Sequence, residues 1–128
     1  MDELQWGGYF VVDAGTREVV GSCAFKTPPI EDGTVEIAYF TYPGFEGHGY
    51  ATGMARKLIE LASGSAAVRR VVAHTLPETN ASTRVLEKVG MIREGLLCQH
   101  KWYKEDWRDS YLYSILYPEW KLAREATV

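Results

Sequence analysis

The stretch "YPGFEGHGYATGMARKL", residues 42 to 58, carries glycines at positions 44, 47 and 49 between a strand-like run and a run with helical spacing. Glycine lets the main chain approach a ligand closely and adopt positive φ angles. At the start of a helix the backbone N–H groups lack helical acceptors, and they bind phosphate well. The stretch therefore fits a phosphate-binding loop, although glycines in this place are also common turn residues. The spacing is neither a Walker A loop nor GxGxxG.

The segments around this loop alternate between strand and helix patterns. A hairpin is predicted over residues 8 to 26, and a long antiparallel pair is predicted at 96 to 103 and 109 to 117, joined by the polar connection "KEDWR". Two further strands are predicted at 35 to 41 and 69 to 76. The order of elements predicts an α/β sandwich with a mixed sheet, in one domain that spans residues 1 to 128.

Apolar residues at spacings of three and four predict a helix from about 50 to 62 that stops at Gly64. A shorter helix is expected through "TRVLEKV", capped by Thr79, Asn80 or Ser82 and ended by Gly90. The tail "PEWKLAREATV" is expected to be a frayed helix.

Composition limits the classes of partner. The net charge is -3 and no block of five like charges occurs, so the sequence predicts no nucleic-acid partner. The apolar runs are too short to cross a bilayer and "MDELQW" does not resemble a signal peptide, which together predict a cytoplasmic protein with no membrane partner. Cys23 and Cys98 lack metal-ligand spacing, so we expect no metal site and expect both cysteines to be buried as small apolar residues.

Residues 35 to 52, "VEIAYFTYPGFEGHGYAT", resemble the acyl-CoA loop of the GNAT N-acetyltransferases. The family pattern is Arg or Gln, two residues, Gly, one residue, and then Gly or Ala, which "EGHGYA" follows at Gly49 and Ala51. "AHTLPETNASTRVLEKVGMIREG", residues 73 to 95, and "WRDSYLYSIL" are similar to the branch that contains the ribosomal-protein N-terminal acetyltransferases. The resemblance covers residues 8 to 117. It implies a mixed, mostly antiparallel sheet flanked by helices, and transfer of the acetyl group of acetyl-CoA to a primary amine.

Three departures from the family pattern stand out. Glu46 replaces the usual Arg or Gln and brings a negative charge near the expected diphosphate. Leu86 stands where many relatives carry a tyrosine that protonates the leaving thiolate. The resemblance also implies an N-terminally truncated fold, because only about eight residues precede the first strand. One wall of the acceptor pocket is then open, or a second subunit or another region fills the gap.

The resemblance assigns roles to particular residues. The backbone of Phe40 and Thr41 is implied to pair with the pantetheine arm of acetyl-CoA, and Asn80 to hydrogen-bond that arm near its sulfur, although helix capping would also explain Asn80. Ser82 is a candidate proton donor to the thiolate in place of the absent tyrosine. The implied neighbours of the diphosphate are Gly47, His48, Gly49, Tyr50, Ala51 and Thr52.

An amine must lose a proton to attack a thioester, so a base is required. Glu36 is the candidate, because a carboxylate between Val35 and Ile37 on a buried-looking strand needs a reason to be there. The alternative is that strand alternation points Glu36 to solvent or to a salt bridge.

Two functions stay open at this point. The first is an N-acetyltransferase that acts on a small-molecule or peptide amine, and the second is a non-catalytic acyl-CoA-binding module or degenerate relative. A homodimer is expected if the N-terminal wall is missing. The aromatic residues of the last hairpin suit the core, the acceptor pocket or a dimer interface, and with that wall missing we expect them at the interface. They are Trp102, Tyr103, Trp107, Tyr111, Tyr113 and Tyr117.

Overall fold

A six-stranded sheet forms the frame of the protein in a computed structural model, which describes residues 6–75 and 81–116. The strand order is β1-β2-β3-β4-β6-β5, and every neighbouring pair is antiparallel except β3 and β4. The predicted mixed, mostly antiparallel sheet flanked by helices is confirmed. The strands are β1 Gly8–Val12, β2 Val19–Phe25, β3 Thr34–Thr41, β4 Arg70–Thr75, β5 Ile92–Tyr103 and β6 Asp106–Leu116.

Two helices, α1 (Tyr50–Ser63) and α2 (Ala81–Lys88), are present in the described ranges and contact each other. Because side chains alternate across a strand, one face of the sheet presents every second residue to these helices. That face and the two helices share one hydrophobic core, and none of the described helices is long and apolar enough to cross a membrane. The core includes Val35, Ile37, Val71, Ala73, Ile115, Met54, Leu58, Ile59, Val85 and Leu86.

The helix ends follow the sequence signals. The predicted stop at Gly64 is confirmed, since α1 ends at Ser63 and Gly64 donates its N–H to Leu61 O. After α2, Gly90 has a φ of 93° and lets Met91 N–H bond back to Leu86 O. Leu86 itself is fully buried, so the position where relatives carry a tyrosine is used here for packing.

Three details of the sequence prediction are wrong. The connection in the last hairpin is only Lys104 and Glu105, both at positive φ, because the rest of "KEDWR" continues into β6. Cys98 is exposed, although Cys23 is buried as expected. Ser82 lies within α2 and therefore is not its cap. Asn80, Tyr117 and the tail from 118 to 128 lie outside the described residues.

Candidate active site

The parallel strands β3 and β4 pair only at one end. Thr34–Glu36 face Arg70–Val72, and the register between the two strands stops there. Beyond this point β3 continues to pair with β2 as far as Thr41, and β4 continues to pair with β6 as far as Thr75. The facing edges of residues 37–41 and 73–75 therefore do not pair with each other. We call the opening between these edges the cleft.

The loop at residues 44–49, called the glycine loop, connects the end of β3 to α1 at the open end of the cleft. Gly44, Gly47 and Gly49 have φ angles of 92°, 81° and 83°. A Cβ added at any of the three would meet no atom within 4 Å. Glycine is therefore required by backbone conformation, and the space beside the main chain is open to a ligand.

The first turn of α1 has no side-chain cap. Gly49 is the N-cap residue and no acidic side chain occurs in the first turn. The hydrogen-bond ladder begins with Gly53 N–H donating to Gly49 O at 3.1 Å. The N–H groups of Tyr50, Ala51 and Thr52 precede this ladder, and they supply donors and the positive helix end that a phosphate group needs.

Two side chains of the glycine loop fold back on their own backbone. Glu46 accepts a hydrogen bond through Oε1 from Gly44 N–H at 3.0 Å. His48 Nδ1 lies 2.9 Å from Glu46 O and 3.1 Å from Phe45 O, so its N–H donates to these carbonyl groups. Both side chains brace the loop.

A contact from the first hairpin fixes the start of α1. The Tyr50 hydroxyl donates to Asp13 Oδ2, and Asp13 also accepts the N–H groups of Gly15 and Thr16 through Oδ1. The hydrogen bond from Tyr50, followed by those from the turn, lowers the pKa of Asp13. The Tyr50 ring also stacks on His48 with centroids 5.8 Å apart. The turn after β1 thus holds the helix end that follows the glycine loop.

Glu36 lies at the closed end of the cleft, on the sheet face opposite the helices. Its Oε2 accepts hydrogen bonds from His74 Nδ1 at 2.7 Å and Lys26 Nζ at 3.0 Å. Burial raises the pKa of Glu36, but the hydrogen bonds and charges of His74 and Lys26 outweigh burial, and the pKa is lowered overall. The salt bridge considered from the sequence is thus present, and it leaves Glu36 ionised at neutral pH.

Ser82 lies on the helix side of the cleft. The hydroxyl of Tyr39 lies 3.1 Å from Ser82 Oγ and 3.4 Å from Ser82 O. The two residues are 43 positions apart in sequence, and the contact ties β3 to the first turn of α2.

The structure brings most of the predicted site residues to this cleft. Gly47 to Thr52 lie at its open end, Phe40 and Thr41 on its β3 edge, and Glu36 at its closed end. Ser82 approaches from α2 through Tyr39. Asn80 cannot be compared, since it is outside the described ranges.

Four residues that interact with the predicted site escaped the sequence analysis. Lys26 and His74 bind Glu36, Tyr39 contacts Ser82, and Asp13 accepts the hydrogen bond of Tyr50. Strand alternation gives a signal for His74. Val72 lies opposite Glu36 in the β3–β4 pair, and His74, two residues further along β4, lies on the same face of the sheet as Val72. The pairing of Asp13 with Tyr50 leaves no local signal, because the two are 37 positions apart.

Comparison with known proteins agrees with this architecture. A family model described as an acetyltransferase (GNAT) domain matches residues 2–92. The uncharacterized N-acetyltransferase p20 of Bacillus licheniformis is 30% identical over 118 residues, which cover 92% of this chain and 66% of p20. Across the curated relatives that match, the chain spans between 48% and 66% of their length.

Two solved structures have the same fold. Ribosomal-protein-S5-alanine acetyltransferase from Vibrio fischeri gives a TM-score of 0.78 at 19% identity and covers 88% of this chain and 62% of its own. Spermidine N-acetyltransferase from Vibrio cholerae, in complex with CoA and spermine, gives a TM-score of 0.77 at 17% identity. That match covers 89% of this chain and 67% of the spermidine N-acetyltransferase chain. At these identities the likeness concerns the fold alone.

The lowered pKa of Glu36 predicts how stability changes with pH. Its carboxylate contributes stability that is complete above the pKa of an unfolded glutamate, about 4.3, and is lost as pH falls through the lower folded value. Glu36→Gln should therefore cost more stability at pH 7 than at pH 3, measured by urea unfolding. Glu94→Gln, at an exposed position of β5, is the matched control. An equal loss at both pH values would contradict the prediction.

Proposed function

Because the chain belongs to the GNAT acetyltransferase family, we propose that it transfers the acetyl group of acetyl-CoA to a primary amine by direct attack, without a covalent enzyme intermediate. The observation that carries the proposal is the cleft, which has a glycine loop at its open end and an ionised carboxylate at its closed end. Acetyl-CoA supplies an acyl carbon activated as a thioester. The chain supplies binding, orientation and proton transfer.

In this proposal the backbone of the glycine loop and of the first turn of α1 holds the diphosphate. N–H groups are offered at positive φ by Gly47 and Gly49, at the helix start by Tyr50, Ala51 and Thr52, and between the two glycines by His48. A Cβ added at either glycine would meet no atom within 4 Å. Lys26 N–H donates to Glu36 O across the β2–β3 pair, so alternation along β3 directs the backbone groups of Phe40 to β2 and those of Thr41 to the cleft. Of the two predicted contacts with the pantetheine arm, Thr41 is therefore the one that we propose. Asn80 stays a predicted contact of that arm.

Glu36 receives a proton from the amine in this scheme, directly or through water. Its Oε2 is used by Lys26 and His74, whereas Oε1 has no partner among the described residues, so Oε1 is the proton acceptor. The lowered pKa makes Glu36 a weaker base but keeps it charged, and a charged carboxylate attracts a protonated amine.

The acceptor is a primary amine on a small molecule or a peptide. The two structural neighbours are named for one acceptor of each kind: the polyamine spermidine for one, and an alanine of ribosomal protein S5 for the other. The cytoplasmic location predicted from composition stays a prediction.

The engagement of Glu36 by Lys26 and His74 favours a second candidate, a non-catalytic acyl-CoA-binding module. The two functions differ in one measurement, the release of free thiol from acetyl-CoA over a panel of primary amines. Binding of acetyl-CoA with no thiol release for any amine would support the second candidate.

If Glu36 takes the proton, Glu36→Gln should lower kcat by about a hundredfold, the effect expected for losing one general base. The Kd for acetyl-CoA should change little, because Glu36 lies at the opposite end of the cleft from the glycine loop. The thiol-release rate and calorimetric titration measure the two quantities, with Glu94→Gln as the control. An unchanged rate would remove Glu36 from the mechanism.

Substitutions in the glycine loop test diphosphate binding through the backbone. Glu46→Gln keeps an oxygen for Gly44 N–H and removes a like charge worth about 1 kcal/mol, so acetyl-CoA should bind about fivefold more tightly. Glu46→Arg should tighten binding further, and both gains should shrink as salt rises. Gly49→Val should lose most of the affinity, because a side chain at φ 83° is strained and fills the open space.

Calorimetric titration at low and high salt measures these affinities. Gly64→Val, at the other end of α1 with a φ of -74°, is the matched glycine control and should bind normally. Weaker binding by Glu46→Gln, which keeps an oxygen for Gly44 N–H, or normal binding by Gly49→Val, would argue against this role of the loop.

The homodimer also stays a prediction, and the last hairpin supplies its candidate surface. Trp102 and Trp107 are 61% and 53% exposed and pack edge to face at the end of the edge strand β5. Light scattering at high micromolar concentration should give a dimer, and Trp102→Ser with Trp107→Ser should give a monomer. Phe10→Ser, exposed on the opposite edge strand, is the control. A monomeric wild type would refute the prediction.

A further inference from the structure

The leaving thiolate needs a proton, and position 86 cannot donate one, because the residue there is a fully buried leucine that packs into the core. Ser82 is the nearest replacement suggested by the sequence, but an aliphatic hydroxyl alone is a very weak acid. A serine that gave up its proton without receiving another would be left as an alkoxide. Ser82 therefore needs a second donor behind it if it is to protonate a thiolate.

Tyr39 is placed to be that donor. Its hydroxyl lies 3.1 Å from Ser82 Oγ, within hydrogen-bond distance, and 3.4 Å from Ser82 O. Tyr39 shares the helix face of β3 with Val35 and Ile37, whereas Glu36 points to the other face. Along the strand, Tyr39 lies between Glu36 and the Phe40–Thr41 edge.

We infer that Tyr39 is a positioning residue that orients Ser82 and replenishes its proton, an inference that rests on the proposed acetyl transfer. The reaction forms a bond between the amine nitrogen and the acyl carbon and breaks the bond between that carbon and sulfur. The sulfur keeps the bonding electron pair and takes the proton of Ser82 Oγ. Ser82 takes the phenol proton of Tyr39, and Tyr39 regains a proton from solvent. The proton that the amine loses goes to Glu36, which then releases it to solvent, so protons balance over one turnover.

The acidities make this order of transfer reasonable. An ordinary phenol has a pKa of about 10 and an ordinary thiol one of about 8.5, so the phenol is within reach of the thiolate as an acid. Burial raises the pKa of Tyr39, and the hydrogen bond with Ser82 offsets part of that rise. Tyr39 is therefore a phenol throughout the neutral range, the form that can donate.

The test compares two acetyl donors with leaving groups of different acidity. Acetyl-CoA leaves as an alkyl thiolate that needs a proton, whereas the acetyl thioester of a nitro-substituted aromatic thiol leaves as a stable anion that does not. Tyr39→Phe and Ser82→Ala should each lower kcat/KM with acetyl-CoA by tenfold to a hundredfold, the range of a modest general-acid effect. With the aromatic thioester both variants should lose less than about threefold.

Matched variants accompany the two donors. Tyr113→Phe removes a buried phenol hydroxyl from the same sheet face and should leave both rates unchanged. Ser82→Thr keeps the hydroxyl and should retain most of the rate with acetyl-CoA. Because Tyr39 acts through Ser82, the double variant Tyr39→Phe, Ser82→Ala should lose no more than the Ser82→Ala single variant.

A readout without turnover checks the contact itself. In protein labelled with ¹³C at the tyrosine Cζ, the Tyr39 signal is the one missing in Tyr39→Phe. The pKa of Tyr39, read from that signal as pH is raised, should be higher in Ser82→Ala, because the substitution removes the hydrogen bond that lowers this pKa.

The outcomes separate this inference from the proposed function. A selective loss with acetyl-CoA, together with the raised Tyr39 pKa in Ser82→Ala, supports it. Equal losses with both donors, or no loss in Tyr39→Phe while the wild type is active, overturn the role of Tyr39 and leave the proposed function standing. A wild type that transfers acetyl from neither donor to any amine overturns the proposed function instead.

Discussion

The early end of the pairing between β3 and β4 is the constraint on which the rest of the site depends. Only three residues of each strand face each other, after which β3 stays with β2 and β4 stays with β6. On the β3 side, the backbone N–H and C=O groups of Tyr39 and Thr41 then point into the opening and not to β2. An extended ligand with amide groups can pair with these backbone groups. A sheet with continuous parallel pairing would close this opening and leave the glycine loop facing no cleft.

Alternation along β3 gives the two faces of the sheet different chemistry. On one face Val35 and Ile37 fix the strand in the core, and the Tyr39 ring reaches α2. On the other face Glu36 contacts two cationic or protonatable side chains, His74 of β4 and Lys26 just after β2. In the proposed reaction, a proton leaves the amine on one face and reaches the thiol from the other. In that scheme β3 separates the proton acceptor from the proton donor, because their side chains lie on opposite faces of the sheet.

Local patterns in the sequence predict the elements well, and contacts between distant segments are where prediction ends. The stripe from Met54 to Ala62 and the stop at Gly64 predict α1, because helix spacing and glycine conformation are local properties. The strand β6 begins earlier than predicted. The polar residues that follow the two-residue turn at Lys104 and Glu105 make the turn look longer in the sequence than it is. Glu36 could be singled out by residue type, but its partners are 10 and 38 positions away in the chain, and only the sheet register brings them together. The exposure of Cys98 could not be predicted for the same reason. Cys98 lies on the edge strand β5, where the burial of a side chain depends on which other segments pack over the strand.

The acidic residues around the start of α1 show how an anion site can contain carboxylates. Glu46 directs its carboxylate to Gly44 N–H, inside the glycine loop, and Asp13 directs its own to the Tyr50 hydroxyl and to its own turn. Each negative charge is thus satisfied by donors that brace the backbone, while the N–H groups of the first turn of α1 precede the helical ladder. In the proposed function, affinity for a diphosphate comes from oriented main-chain donors, and the nearby side chains set the shape of the loop. This division of roles explains how a carboxylate can stand in the glycine loop: Glu46 accepts Gly44 N–H and supports the loop conformation, at the cost of some long-range repulsion of the proposed diphosphate.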